Sequence, residues 1–172
     1  MSKDLPESLD AWRMVAARRG FAGRVPLASL QRLRGALVDA EGEVSWALDF
    51  DRDALQVPFV ELRVEAQLPL ECQRTLQRYL QPVTVLQRLA LLRAGEDEEA
   101  AEAGLPEGYE ALVLPEDGML EPLALVEDEL ILAVPVLPLS PGSEMVERDW
   151  PVAADEEVRA NPFAALASLK KN

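Results

Sequence analysis

Arginines are the residues whose type and spacing first point to chemistry in this chain. Arg13, Arg18, Arg19, Arg24, Arg32 and Arg34 fall within the first 40 residues, and Arg74 and Arg78 follow. A guanidinium offers a planar fork of donors that matches phosphate, so this run is a candidate RNA contact. A plainer explanation stands beside it. Arginine is the ordinary basic residue of this chain, and Arg18 and Arg19 suit the C-terminal end of a helix by charge alone.

Carboxylates form the opposite group. Glu127, Asp128 and Glu129 are consecutive, and on a helix they fan out by about 100° per residue, so they cannot all avoid the surface. They are candidate contacts for a basic partner, or ordinary helix surface. With no base, nucleophile or phosphate loop beside them they do not read as catalytic. The run Glu96, Asp97, Glu98, Glu99, Glu102 lacks the alternating spacing and glycine turn of a calcium loop and reads as a solvated segment. Cys72 is the single cysteine and the chain has no histidine, so a Cys–His pair and a cysteine-rich zinc site are both excluded. A lone cysteine is ordinarily a small buried apolar residue.

Composition narrows the classes further. The 172 residues carry a net charge of −14, which opposes nucleic-acid binding by the chain as a whole. The charge is unevenly placed: residues 1–40 sum to +3, residues 41–95 to −2 and residues 96–172 to −15. Aromatic residues make up only 5%, against a broad base-stacking platform. The N-terminus lacks the apolar run of a secretory signal. The longest apolar stretch, Leu130–Leu139, is short of the roughly 20 residues that span a bilayer and is interrupted by proline. A cytoplasmic protein with no membrane contact and no cofactor is expected.

The elements that must position these groups follow from periodicity. Ser8 is expected to cap a helix over Leu9–Arg19, with Leu9, Trp12, Val15 and Ala16 on its apolar face. Pro26 opens a second helix with Leu27, Leu30, Leu33 and Leu37 as its stripe. The period then changes to two. Val44, Trp46, Leu48 and Phe50 mark one strand, and Leu62, Val64, Ala66, Leu68 and Leu70 mark a second, with Pro69 near its end or on an edge. Pro82–Arg93 suits either state, and its β-branched entry favours a strand. Residues 95–108 read as a mobile loop and Tyr109–Leu114 as a short strand. A helix near 120–134 presents Leu123, Val126, Leu130 and Ala133 or Val134. Residues 1–139 are expected to form one α+β domain: an antiparallel sheet or partly open barrel with N-terminal helices. Residues 140–172 are expected to be a flexible acidic tail. Near its end Asn161, Pro162, Phe163, Leu166 and Leu169 outline a short helix over 161–170, closed by Lys170 and Lys171 and in need of a partner surface.

Several segments together resemble a known bacterial family. They are Glu71-Cys72-Gln73-Arg74 after a strand, VEDELILAVPVLP at 126–138, NPFAALASLK at 161–170, and the Phe21-Ala22-Gly23-Arg24-Val25 element. Over nearly the whole chain the sequence resembles the large ribosomal RNA subunit accumulation protein family, YceD. The resemblance implies a non-enzymatic role in the synthesis, processing or stability of 23S ribosomal RNA. Genes of the family commonly neighbour one for a large-subunit ribosomal protein. Two modes of action are therefore expected. The arginines contact 23S rRNA or its precursor, or the acidic C-terminal part, with Glu127–Glu129 and Asn161–Leu169, binds a basic large-subunit ribosomal protein. In the second mode the chain is a protein-only adaptor or ribosomal-protein chaperone. Many relatives carry C-x-x-C where this chain has Cys72-Gln73-Arg74-Thr75, so a zinc site of that kind cannot be built from its own side chains.

Overall fold

The computed structural model describes residues 6–143. The expected terminal helix at 161–170 and most of the expected tail lie outside the described residues. A compact unit runs to Pro141.

Two strands carry the period-two alternation. In β3 (Glu43–Arg52) Val44, Trp46, Leu48 and Phe50 are buried, and in β4 (Pro58–Glu71) Val60, Leu62, Val64, Ala66, Leu68 and Leu70 are buried. The two pair antiparallel, with Val44 opposite Ala66 and Phe50 opposite Val60. Asp53 sets the turn between them: its Oδ1 accepts from the N–H groups of Leu55 (2.8 Å) and Val57 (2.9 Å). Pairing with β3 stops at Ala66, so Pro69 lies where β4 has lost that neighbour and a missing N–H breaks no ladder. Its carbonyl instead accepts from Val38 N–H at 3.0 Å.

The ambiguous segment is a strand, β5 (Arg78–Leu92), which pairs antiparallel with β4 over its lower and upper halves alike. Two further strands complete a five-stranded sheet of order β2-β3-β4-β5-β6. Here β2 is Gly20–Pro26 and β6 is Tyr109–Val113, the latter parallel to β5. A short second sheet joins β1 (Leu9–Asp10) to β7 (Met119–Leu120), with Leu9 opposite Leu120. The first helix, the two short turns after β2 and the helix after β7 pack on the core face, where Val15, Leu27, Leu30, Leu33, Val126 and Leu130 close over the strands' buried residues. The other face stays wet. The fold is α+β with an open, mostly antiparallel sheet.

Four local expectations are corrected. The first helix, α1, spans only Ala11–Ala17, because Leu9 and Asp10 are drawn into the small sheet. Asp10 caps it in place of Ser8, its Oδ1 accepting from Arg13 N–H at 3.0 Å. It ends at Arg18, whose φ of 47° is left-handed, and Gly20 opens β2 rather than simply stopping a helix. The second helix is replaced by two 3-10 turns, Leu27–Ser29 and Leu33–Ala36. Leu27, Leu30 and Leu33 repeat every three residues, which is the 3-10 period, and bury together. The acidic loop contains a one-turn helix, α2 (Glu98–Glu102), capped by Asp97. Finally, α3 (Pro122–Ala133) buries Leu125, Val126, Glu127 and Leu130, while Leu123 is exposed. Val126 and Leu130 lie on the expected stripe, Ala133 and Val134 pack partly on the core, and the buried face is widened by Leu125 and the Glu127 carboxylate in place of Leu123.

Candidate functional site

One polar node joins a predicted RNA-contact residue, Arg32, to two predicted partner-binding residues, Glu127 and Asp128. Glu127 points inward from α3 and its Oε1 accepts from the main-chain N–H of Arg32 (2.6 Å) and of Leu33 (3.1 Å). Its Oε2 accepts from Arg32 Nε at 3.0 Å. The same guanidinium donates to Asp128 Oδ1 (2.5 Å) and to Ala124 O (3.2 Å). Burial alone would raise the Glu127 pKa, but the Leu33 and Arg32 donors outweigh it and hold the carboxyl below its ordinary value. The Glu127 side chain is 10% exposed. This arrangement fastens α3 to the second 3-10 turn. Glu129 lies apart from it and is pushed up by burial, with Glu110 and Asp128 adding repulsion.

The remaining arginines divide into two sets. Arg78 is held by Asp39 (2.6 Å) and Glu41 (3.3 Å), and Arg18 by Asp51 (3.1 Å). Arg13, Arg19, Arg24 and Arg34 are exposed and form no ion pair among the described residues. Arg74 stands exposed on the β4–β5 turn. Of the predicted partner-binding set, Asn161, Pro162, Phe163, Leu166 and Leu169 lie outside the described residues.

One surface cluster was not singled out from sequence. On the wet face of the sheet Glu61 is gripped by Arg63 and by Arg88, the latter at 2.8 Å. The two guanidiniums hold the Glu61 carboxyl below its ordinary value. Arg88 stacks over Phe59 (5.7 Å), and Phe59 meets Tyr109 edge-on at 5.6 Å. The alternation Phe59, Glu61, Arg63 on one side of β4 was the available signal. The pairing with Arg88 and Tyr109 required the register.

Cys72 is fully buried at the base of the β4–β5 turn. Its Sγ accepts from Ser140 N–H at 3.3 Å, and contacts from Ser140 and then Thr75 draw the thiol down to about 5 against the opposing effect of burial. The neighbouring Gln73 N–H donates to Pro138 O at 2.9 Å, so the stretch after α3 is tied to the turn. Thr75 supplies a hydroxyl where a second thiolate would be needed, and among the described residues no group of three metal-binding side chains assembles. The donor set does not fit zinc. Among the described residues no helix is long and apolar enough to cross a membrane.

Sequence comparison completes the picture. The family model described as "Large ribosomal RNA subunit accumulation protein YceD" matches residues 60–170. The Haemophilus influenzae protein of that name is 30% identical over 177 residues, covering 97% of each chain. No solved structure matches. The matched span takes in β4 from Val60 onward, β5, the Cys72 turn and α3 with Glu127 and Asp128. By these matches the chain belongs to the large ribosomal RNA subunit accumulation protein family, YceD.

Proposed function

We propose that this chain is a cytoplasmic ribosome-biogenesis factor that supports accumulation of 23S rRNA by binding, without catalysis, and that it touches rRNA or its precursor directly. The observation that supports direct contact is the division of the arginines. Arg18, Arg32 and Arg78 are engaged by carboxylates, whereas Arg13, Arg19, Arg24 and Arg34 are exposed with no ion pair among the described residues. Unpaired guanidiniums are available for phosphate without breaking an internal bond. Arg74 is exposed on the β4–β5 turn and is kept apart from this unpaired set. The test is binding of 23S rRNA fragments across a salt series. Neutralising Arg13, Arg19, Arg24 and Arg34 together should weaken binding and flatten the salt dependence, and unchanged affinity would refute direct contact.

A second reading is favoured by the −15 carried by residues 96–172. On it the chain is a protein-only adaptor or chaperone for a basic large-subunit ribosomal protein, and RNA association is indirect. Co-purification of such a protein that survives nuclease treatment and needs residues 96–172 would support it over direct RNA contact.

A further inference from the structure

The surface between β6 and α3 has no role in the reading above. β6 is an edge: its only sheet neighbour among the described residues is β5. Leu114 N–H donates to Leu92 O at 2.9 Å, and alternation along a parallel ladder then turns the N–H groups of Ala111 and Val113 away from the sheet. Beside this edge lies a groove of about 240 Å³, floored by Leu112, Val113, Met119 and Leu125 and rimmed by Glu121 and Asp128. Two residues before Leu112 on β6, Glu110 repels Glu129 of α3, and neither is ion-paired among the described residues.

These features select an occupant. The volume is below the roughly 300 Å³ at which small-molecule sites begin, so the groove suits single side chains rather than a whole ligand. Glu121, Glu110 and Glu129, unpaired among the described residues, repel phosphate, which disfavours RNA as the occupant. A second copy would bring its own Glu110 and Glu129 against the same rim, and each chain carries −14. An open sheet edge beside an apolar floor accepts an extended chain through main-chain hydrogen bonds, with alternate side chains entering the groove. We propose that β6 is a docking edge for an extended basic peptide segment of a partner protein, which adds as a further strand. It places an apolar side chain over Leu112 and Leu125, and a lysine or arginine two residues away between Glu110 and Glu129. Main-chain pairing gives the affinity and the carboxylates choose the charge of the segment. The proposal is independent of the arginines assigned to RNA.

The probe is a fluorescent ten-residue peptide alternating leucine with lysine on one face, titrated into the full chain. Its control has every lysine replaced by glutamate. The basic peptide should bind and shift the amide resonances of Ala111 and Val113, and the acidic control should not bind. Ala111→Pro removes an outward N–H without touching the β5 ladder, and Glu110→Gln with Glu129→Gln removes the two charges while keeping the side-chain shapes. Each should weaken binding at least about tenfold with the fold intact by circular dichroism. The proposal is overturned if affinity is unchanged in the carboxylate variant, or if the shifts fall away from β6. It is overturned equally if Ala111→Pro abolishes self-association or RNA binding instead of peptide binding.

Discussion

Arg32 and Glu127, separated by 95 residues in sequence, form one node in which the carboxylate accepts from both the guanidinium and the main-chain N–H of the same arginine. A third donor, Leu33 N–H, completes it. Glu127 is therefore less a surface acid than a cap for a 3-10 turn supplied from another element.

Glu127→Ala should destabilise the protein by about 2 kcal/mol, because it leaves the buried Leu33 N–H and the part-buried Arg32 N–H without their acceptor. Glu127→Gln keeps the shape and one acceptor and should lose less. Urea unfolding of both variants checks the order. Equal losses would mean that the charge, not the acceptor geometry, holds α3.

Arg32 and the unpaired arginines should separate in their effects. Arg32→Ala should lower the urea midpoint and leave the salt slope of RNA binding unchanged. Replacing Arg13, Arg19, Arg24 or Arg34 singly should leave the midpoint unchanged and reduce the slope by about 1 per lost phosphate contact.

Acid should weaken the fold through specific carboxylates. Glu127, Glu61 and Asp39 all have folded pKa values below their ordinary ones. Their contribution is present above the free values, 4.5 for Glu and 3.8 for Asp, and is lost as pH falls through the lower folded values. Glu129 has the opposite sign: its raised pKa favours the protonated form, so its contribution is lost as pH rises. Glu129→Gln should therefore stabilise at pH 7 and change little at low pH. Urea midpoints across a pH series of wild type, Glu61→Gln and Glu129→Gln read both signs.

Cys72 gives a second pH signature. Its thiol is lowered from 9.0 to about 5, so its contribution to stability is present above pH 9 and is lost as pH falls through 5. The difference in urea midpoint between wild type and Cys72→Ala should widen from pH 5 to pH 9. A constant difference would assign the residue to packing alone.

Gly118 has φ +68°, and a Cβ there would stand 2.5 Å from Trp12 Cδ1. Trp12 in turn lies under Arg93 at 4.6 Å. Gly118→Ala should cost about 1–3 kcal/mol through left-handed strain and displacement of the indole, read as a lower melting temperature.

The wet and dry faces of β3 and β4 were legible because one alternation, Val44 to Phe50 and Leu62 to Leu70, is decided locally by burial. β2 was not, since Gly20, Ala22 and Gly23 on an edge bury little and leave no periodic mark. The leucines at 27, 30 and 33 fitted a helix in period but close as 3-10 turns, where the short spacing and Gly35 limit each run. The arginines were visible as residues and not as partners. Arg32 with Glu127, and Arg78 with Asp39, pair across distances that a single sequence does not encode. The replacement of Leu123 by Leu125 and Glu127 on the buried face of α3 has the same cause, because a buried glutamate is intelligible only once its donors are known.

The small sheet of β1 and β7 has a consequence for the order in which the chain acquires its shape. Strands β2 to β5 pair with their sequence neighbours and can assemble as each emerges during synthesis. Leu9, made among the first residues, must wait for Leu120, and Arg32 must wait for Glu127. The meander can thus form early while its N-terminal elements stay unlatched. A single late event, the arrival of β7 and α3, then locks both ends of the unit at once.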